Sequence, residues 1–289
     1  QNKQVVYNTL FRATTETLTT IAADPKHLGA EIGFFAVLHS WGQTLQFHPH
    51  LHCVIPGGGL SPDNSRWISC RPHFFLPVRV LSRLFRRLFL TELQQAFDAG
   101  KLQFFSSLEA LRDRQAFQNH LDSVRKVDWV VYAKPPFAGP QQVVDYVGRY
   151  THRVALSNNR ILDIENGQVK FTWRDYRDHN QQKIMTLSAD EFIRRFLLHV
   201  LPNGFHRIRY YGFLANPHRQ AKLELCRQLL GVAPAELPPV VATAEDYRDR
   251  YERLTGRSLW ECPVCHRGRM IAIQLLPQVP SSPTIRDTS

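Results

Sequence analysis

The sequence predicts an α+β protein with a mostly antiparallel sheet, flanking helices and a small helical, cysteine-containing C-terminal tail. Three observations carry that prediction. Strand-like and helix-like runs are mixed without the βαβ regularity of a parallel sheet. Asn166-Gly167 joins two β-favouring runs, and Asn-Gly supplies the positive φ angles of a tight antiparallel turn. Finally, the apolar runs Ile32–Leu38 and Cys53-Val54-Ile55 flank Ser40-Trp41-Gly42, as in a second hairpin with a loop.

Residues 1–23 carry Val5, Val6, Leu10, Phe11, Leu18 and Ile21 at helical spacing, and Asp24-Pro25 ends the helix. The hairpin of Ile32 to Ile55 comes next and is closed by Pro56-Gly57-Gly58-Gly59. Ser61-Pro62-Asp63-Asn64 is a turn before a short strand over Arg66–Cys70. Pro77–Phe97 opens on a proline and is strongly periodic, so it reads as a helix; Leu108–Val124 is a weaker one. Trp129–Ala133 reads as a buried strand, and the turn from Lys134 to Gly139 leads into a helix opened by Pro140. A meander of three strands then spans Arg160 to Leu187. Ser188 to Glu191 has the pattern of a capping box, and its helix runs through Val200. A last helix over Pro217–Leu230 stops at Gly231, before a Pro/Ala-rich linker from Val232 to Val240. The expected organisation is a catalytic domain over 1–200, a basic helical extension over 201–231, and a linker with a CxxC tail over 232–289.

Lys plus Arg outnumber Asp plus Glu by 36 to 25, a net charge of +11 that points to an anionic polymer as partner. Aromatic residues (Tyr150, Phe205, Tyr210, Tyr211) lie among the basic clusters, the mixture that single-stranded nucleic acid uses for phosphate contact and base stacking. Five scattered cysteines argue against a disulfide framework and for a reducing compartment. No apolar run is long enough for a membrane span, and no signal peptide opens the chain. These features imply a cytoplasmic, DNA-associated protein.

The chemistry sits in two stretches. His50 and His52, two apart in a strand, project from one face, a geometry that suits a divalent metal. Tyr146 and Tyr150, four apart in a helix, share one helical face. His39 ends the Phe35-Val37-His39 alternation, and a hairpin would bring it level with the pair; Gln43 follows in the turn, and Pro49 disturbs the pleat beside His48. Arg149, His152 and Arg153 suit a phosphate path, and Lys134, at the end of the strand that leads to the tyrosine helix, is a further candidate DNA contact. Cys262 and Cys265, with His266 beside them, form half of a possible zinc site.

The wording WGQTLQ, HPHLHCVIPGGGL and YVGRYTHRVALSNNR resembles the insertion-sequence 91 family of two-tyrosine, rolling-circle transposases, a branch of the HUH endonucleases, from about Phe34 to about Leu214. The resemblance implies an α+β HUH core in which His50 and His52 hold Mg²⁺ or Mn²⁺ with a third polar ligand, for which His39 is the first candidate and Gln43 the next. It also implies that Tyr146 and Tyr150 attack single-stranded DNA or hairpin ends of a mobile element, leaving a 5′-phosphotyrosine and a free 3′-OH. Oligomers and bacterial nucleoid association fit the same picture. Family members carry a cysteine-rich zinc module and an opening strand ahead of this region; the chain starts at Gln1, so a truncation is expected. A plasmid or phage replication initiator or relaxase of the same class, and a DNA-binding remnant without catalysis, are the alternatives.

Overall fold

The computed structural model describes residues 1–134, 139–151, 155–215, 217–232, 246–256, 258–262 and 265–270; the side chains at 140, 147, 149, 150, 151, 247, 250 and 254 fall outside the description. The chain divides into two compact units, Gln1–Pro234 and Ala235–Ser289.

Helix α1, Lys3–Ala23, turns Tyr7, Phe11, Leu18 and Ile21 to one side, where they are buried. They pack on Phe34, Ala36 and Leu38, alternate residues of strand β1, Gly33–Trp41. This period of two leaves Phe35, Val37 and His39 on the opposite face of β1. Strand β2, Phe47–Val54, pairs antiparallel with β1. Its Leu51 and Cys53 join the α1 side of the core, which leaves His50 and His52 for the other face.

A further strand completes the central sheet. Ile208–Gly212 pairs antiparallel with the other edge of β1, so the sheet order is β2, β1 and this strand. The stretch 201–231 therefore holds a strand of the central sheet as well as a helix. Arg209 lies over the rings of Phe11 and Phe205 at 4.2 and 5.0 Å and donates to Asn8 Oδ1. Gly212 closes the strand at a φ of +57°; a Cβ there would lie 1.8 Å from the Ile32 carbonyl oxygen, so only glycine fits.

Between these come strands β3 (Gly58–Leu60) and β4 (Trp67–Ser69), a small hairpin. Helix α2 (Val78–Asp98) then packs against α1. The predicted helix over 108–124 is a 3-10 turn, Ser106–Arg112, followed by α3, Arg114–Arg125, whose N-cap Asp113 accepts from the Ala116 N–H at 2.8 Å.

Trp129–Ala133 is not the buried strand that its apolar run suggests. Val130 is 95% exposed and Tyr132 76% exposed. Side chains of α2 hold this backbone in place of a strand ladder: Ser82 donates to the Trp129 carbonyl and Arg86 to that of Val127. Trp129 packs on Phe85 and Phe89, and Val131 against the main core.

Helix α4, Pro140–Thr151, carries the tyrosines. Strands β5 (Ile161–Glu165), β6 (Gln168–Asp175) and β7 (Gln181–Ser188) form the expected meander, with Asn166 and Gly167 both at positive φ in its first turn. Ser188 caps helix α5, Ala189–Leu197, by accepting from the Glu191 N–H. The reciprocal half of the capping box is replaced, because Glu191 pairs with Arg194 and Arg195. The strand Ile208–Gly212 is β8, and α6, Arg219–Leu229, ends the first unit's helices. In the second unit, α7, Tyr247–Thr255, precedes a cysteine turn. Among the described residues, no helix is long and apolar enough to cross a membrane. Mixed helices and antiparallel strands make this the α+β fold that the sequence predicts.

Candidate metal and tyrosine centre

The β1–β2 register builds the site. His39 lies directly across from His50, and Val37 across from His52. Cross-strand partners point to the same face, and so do residues two apart on one strand. Three imidazoles therefore leave one patch of sheet. His50 Nε2 lies 3.0 Å from His52 Nε2 and 3.4 Å from His39 Nδ1. Among the described residues, these three form the one group of three His, Cys, Asp or Glu side chains whose ligand atoms all fall within 4.8 Å of one another.

Their protonation suits a cation. Burial lowers all three below the ordinary histidine value, and the neighbouring imidazoles add to it. His39 falls to about 3, with Arg207 a further contributor, and His52 to about 4, with Lys134 contributing. Neutral rings present lone pairs. One tautomer is fixed by chemistry: His50 Nδ1 lies 2.7 Å from the His48 carbonyl, which can only accept, so Nδ1 carries the proton and Nε2 turns its lone pair to the cluster. His48 thus serves the site through its backbone. Gln43 donates to Tyr176 Oη at 2.9 Å and accepts from the Arg174 N–H, so its amide is committed to the meander. The donor set fits a divalent ion.

Helix α4 brings Tyr146 to this patch, with its hydroxyl 3.0 Å from His52 Nδ1. The two rings meet edge to face at 6.0 Å. Because His50 Nε2 is an acceptor, the 3.0 Å contact makes His52 Nε2–H the donor there, and His52 Nδ1 accepts from the Tyr146 hydroxyl; an ion held at Nε2 would turn Nδ1 into the donor. Lys134 places its ammonium 5.1 Å from the centre of the Tyr146 ring. Tyr150 and Arg149 lie on α4, but their side chains are outside the described residues, as are His152 and Arg153 entirely.

Sequence reasoning missed His199. It is 7% exposed, and it ties the hairpin loop to the end of α5 through Ser40 Oγ at 3.3 Å and the Leu45 carbonyl at 3.2 Å. No motif marks it; only the loop that it meets gives it a role. Trp41 is a second omission, its ring 4.3 Å from that of His39.

In the second unit, Cys262 and Cys265 lie in a tight turn closed by a bridge between Glu261 and Arg269. The His266 N–H donates to the Cys262 carbonyl, and the Gly268 N–H reaches Cys265 Sγ at 3.4 Å. Backbone N–H groups of Arg267 and Gly268 hold the Cys265 thiol below its ordinary value. His266 Nδ1 lies 3.5 Å from Glu261 Oε1.

Comparison with known proteins identifies the family. A family model described as "Putative transposase" (Y2_Tnp) matches residues 33–222. The chain is 67% identical over its whole length to the "Putative transposase y4qJ" of Sinorhizobium fredii, of which it covers 72%. It is 27% identical, over 72% of its length and 48% of that protein's, to the transposase for insertion sequence element IS801 of Pseudomonas savastanoi pv. phaseolicola. No solved structure matches. The histidine hairpin and the tyrosine helix both lie inside the matched span, and the chain belongs to the Y2_Tnp family of transposases, the insertion-sequence 91 type.

Proposed function

We propose that this transposase nicks and joins single-stranded DNA at the ends of its mobile element by tyrosine attack. The observation that carries the reading is the Tyr146 hydroxyl at 3.0 Å from His52, inside a cluster of three neutral histidines. The Tyr146 oxygen gives its proton to solvent and attacks phosphorus, and the bond to the 3′ oxygen breaks. The DNA is left joined through a 5′-phosphotyrosine, and the departing 3′ oxygen takes up a proton. A phenol is a poor nucleophile while protonated, its ordinary pKa being about 10. His52 orients its oxygen, and Lys134 places a positive charge beside the ring, where an incoming phosphate would pass. His39, His50 and His52 would hold a divalent ion, which supplies charge neutralisation at the scissile phosphate. Tyr150, one helical turn from Tyr146, is the second nucleophile in this reading.

Incubating the protein with a labelled single strand carrying the element's end and Mn²⁺ tests the proposal. A covalent adduct that survives denaturant and is absent in Tyr146→Phe is the expected result. DNA binding without any adduct would identify a non-catalytic binder and overturn the reading. Cleavage confined to a plasmid or phage origin would favour a replication initiator or relaxase.

The Cys262–Cys265 turn is, in the same reading, two thiolates of a zinc site. A structural zinc wants four ligands, and the described residues supply no third beside the pair. The protein should lose one class of bound zinc in Cys262→Ser/Cys265→Ser, read by elemental analysis. Unchanged zinc content would remove the assignment.

A further inference from the structure

The segment between α3 and α4 has a feature that core packing does not explain. Trp129 and Val131 pack inward, whereas Val130 and Tyr132 face out, and the chain from Tyr132 to Lys134 is exposed throughout. A phenol ring that is 76% exposed contributes little to the core. Its neighbour two residues on, Lys134, stands over the Tyr146 ring at 5.1 Å, so the outward side of this segment leads to the tyrosine centre. Two residues of chain span at most about 7 Å. An open aromatic face therefore lies two residues along the chain from the cation over the Tyr146 ring.

We propose that Tyr132 is a base-stacking seat for the single strand at this centre, with Lys134 holding the adjoining phosphate. The inference rests on the reading of the site as a single-strand nicking centre and adds the surface that holds the strand. An aromatic face accepts any base, because every base has a π face, while an ammonium takes the backbone charge; the combination binds unpaired strands irrespective of sequence. A duplex keeps its bases stacked on one another and offers none to Tyr132. The seat therefore selects for single strands through Tyr132, and Lys134 contributes charge without that selection.

Binding measured in EDTA isolates the seat from cleavage. The probes are a fluorescein-labelled oligo(dT) strand and an abasic strand of the same length. Tyr132→Ala should weaken oligo(dT) binding roughly 5- to 150-fold, the range for loss of one stacked base. It should leave abasic binding unchanged, and Tyr132→Trp should retain the wild-type preference for bases. Lys134→Ala should weaken both strands alike and lower the salt slope by about one. Equal loss on both strands in Tyr132→Ala, no loss on either, or a change in oligomeric state without a base-dependent loss would overturn the proposal. The two readings fail separately. A wild-type protein that forms no adduct, yet whose Tyr132→Ala variant loses base-dependent affinity, would end the tyrosine mechanism and leave the seat standing.

Discussion

His52 is the residue at which the two halves of the site meet, since one ring nitrogen faces the other imidazoles and the other faces Tyr146. Its replacement should remove two functions together. His50→Ala and His52→Ala should each abolish cleavage while single-strand binding in EDTA persists; a double variant that nicks at the normal rate would refute the ligand assignment. His39→Ala should weaken Mn²⁺ binding by more than about 10-fold, whereas Gln43→Ala should barely change it, because the Gln43 amide already serves Tyr176 and Arg174. Titration calorimetry reads both, and the opposite ranking would exchange their roles. The two tyrosines should differ in kind. Tyr146→Phe should block the first cleavage, and Tyr150→Phe should leave nicking but halt strand transfer. Complete transposition by Tyr150→Phe would leave the protein with one nucleophile.

Elements matter here as devices that hold register. A one-residue slip of β2 against β1 would send His50 and His52 to the α1 side of the sheet. Two contacts oppose such a slip. His199, just beyond α5, holds the loop of the hairpin as a neutral ring, since its Nε2–H donates to Leu45 while Nδ1 accepts from Ser40. Burial keeps its pKa below the ordinary value, so the folded state resists protonation. The unfolded chain binds that proton as pH falls through about 6.5, so this stabilisation is present above that pH and is lost below it. His199→Ala should cost about 1–3 kcal/mol in urea unfolding at neutral pH, with His199→Gln retaining part of it. On the other edge of β1, Gly212→Ala would drive a methyl group into the Ile32 carbonyl. Its expected cost is at least about 1–3 kcal/mol, and a variant as stable as wild type would show that β8 can shift away from β1.

At the scale of the molecule, the surplus of positive charge sets the terms of DNA binding. With a net charge of +11, affinity for single strands should fall steeply with salt, because binding releases counterions that added salt opposes. Salt-insensitive binding, or equal cutting of blunt duplex, would contradict the proposed substrate. The surplus is not all available to DNA: Arg209 is engaged by Phe11, Phe205 and Asn8, and Lys222 by Glu31 and Asn64. Substituting Arg209 should therefore lower stability more than it changes the salt slope.

The sequence alone determined the features that depend on local spacing. A strand with histidines at alternate positions, a helix with tyrosines one turn apart, and an Asn-Gly hairpin are short-range patterns, and each appears where its pattern lies. The membership of His39 in the cluster was legible too, because hairpin register is a nearly local property. Long-range partners were not legible. Ile208–Gly212 reads as a basic stretch until β1 offers it an edge, and Trp129–Ala133 reads as a strand until Ser82 of α2 takes the Trp129 carbonyl. His199 carries no pattern at all. A strand exists only by pairing, and a buried polar side chain persists only when its hydrogen bonds are met. Both depend on residues far along the chain, so tertiary structure decided them.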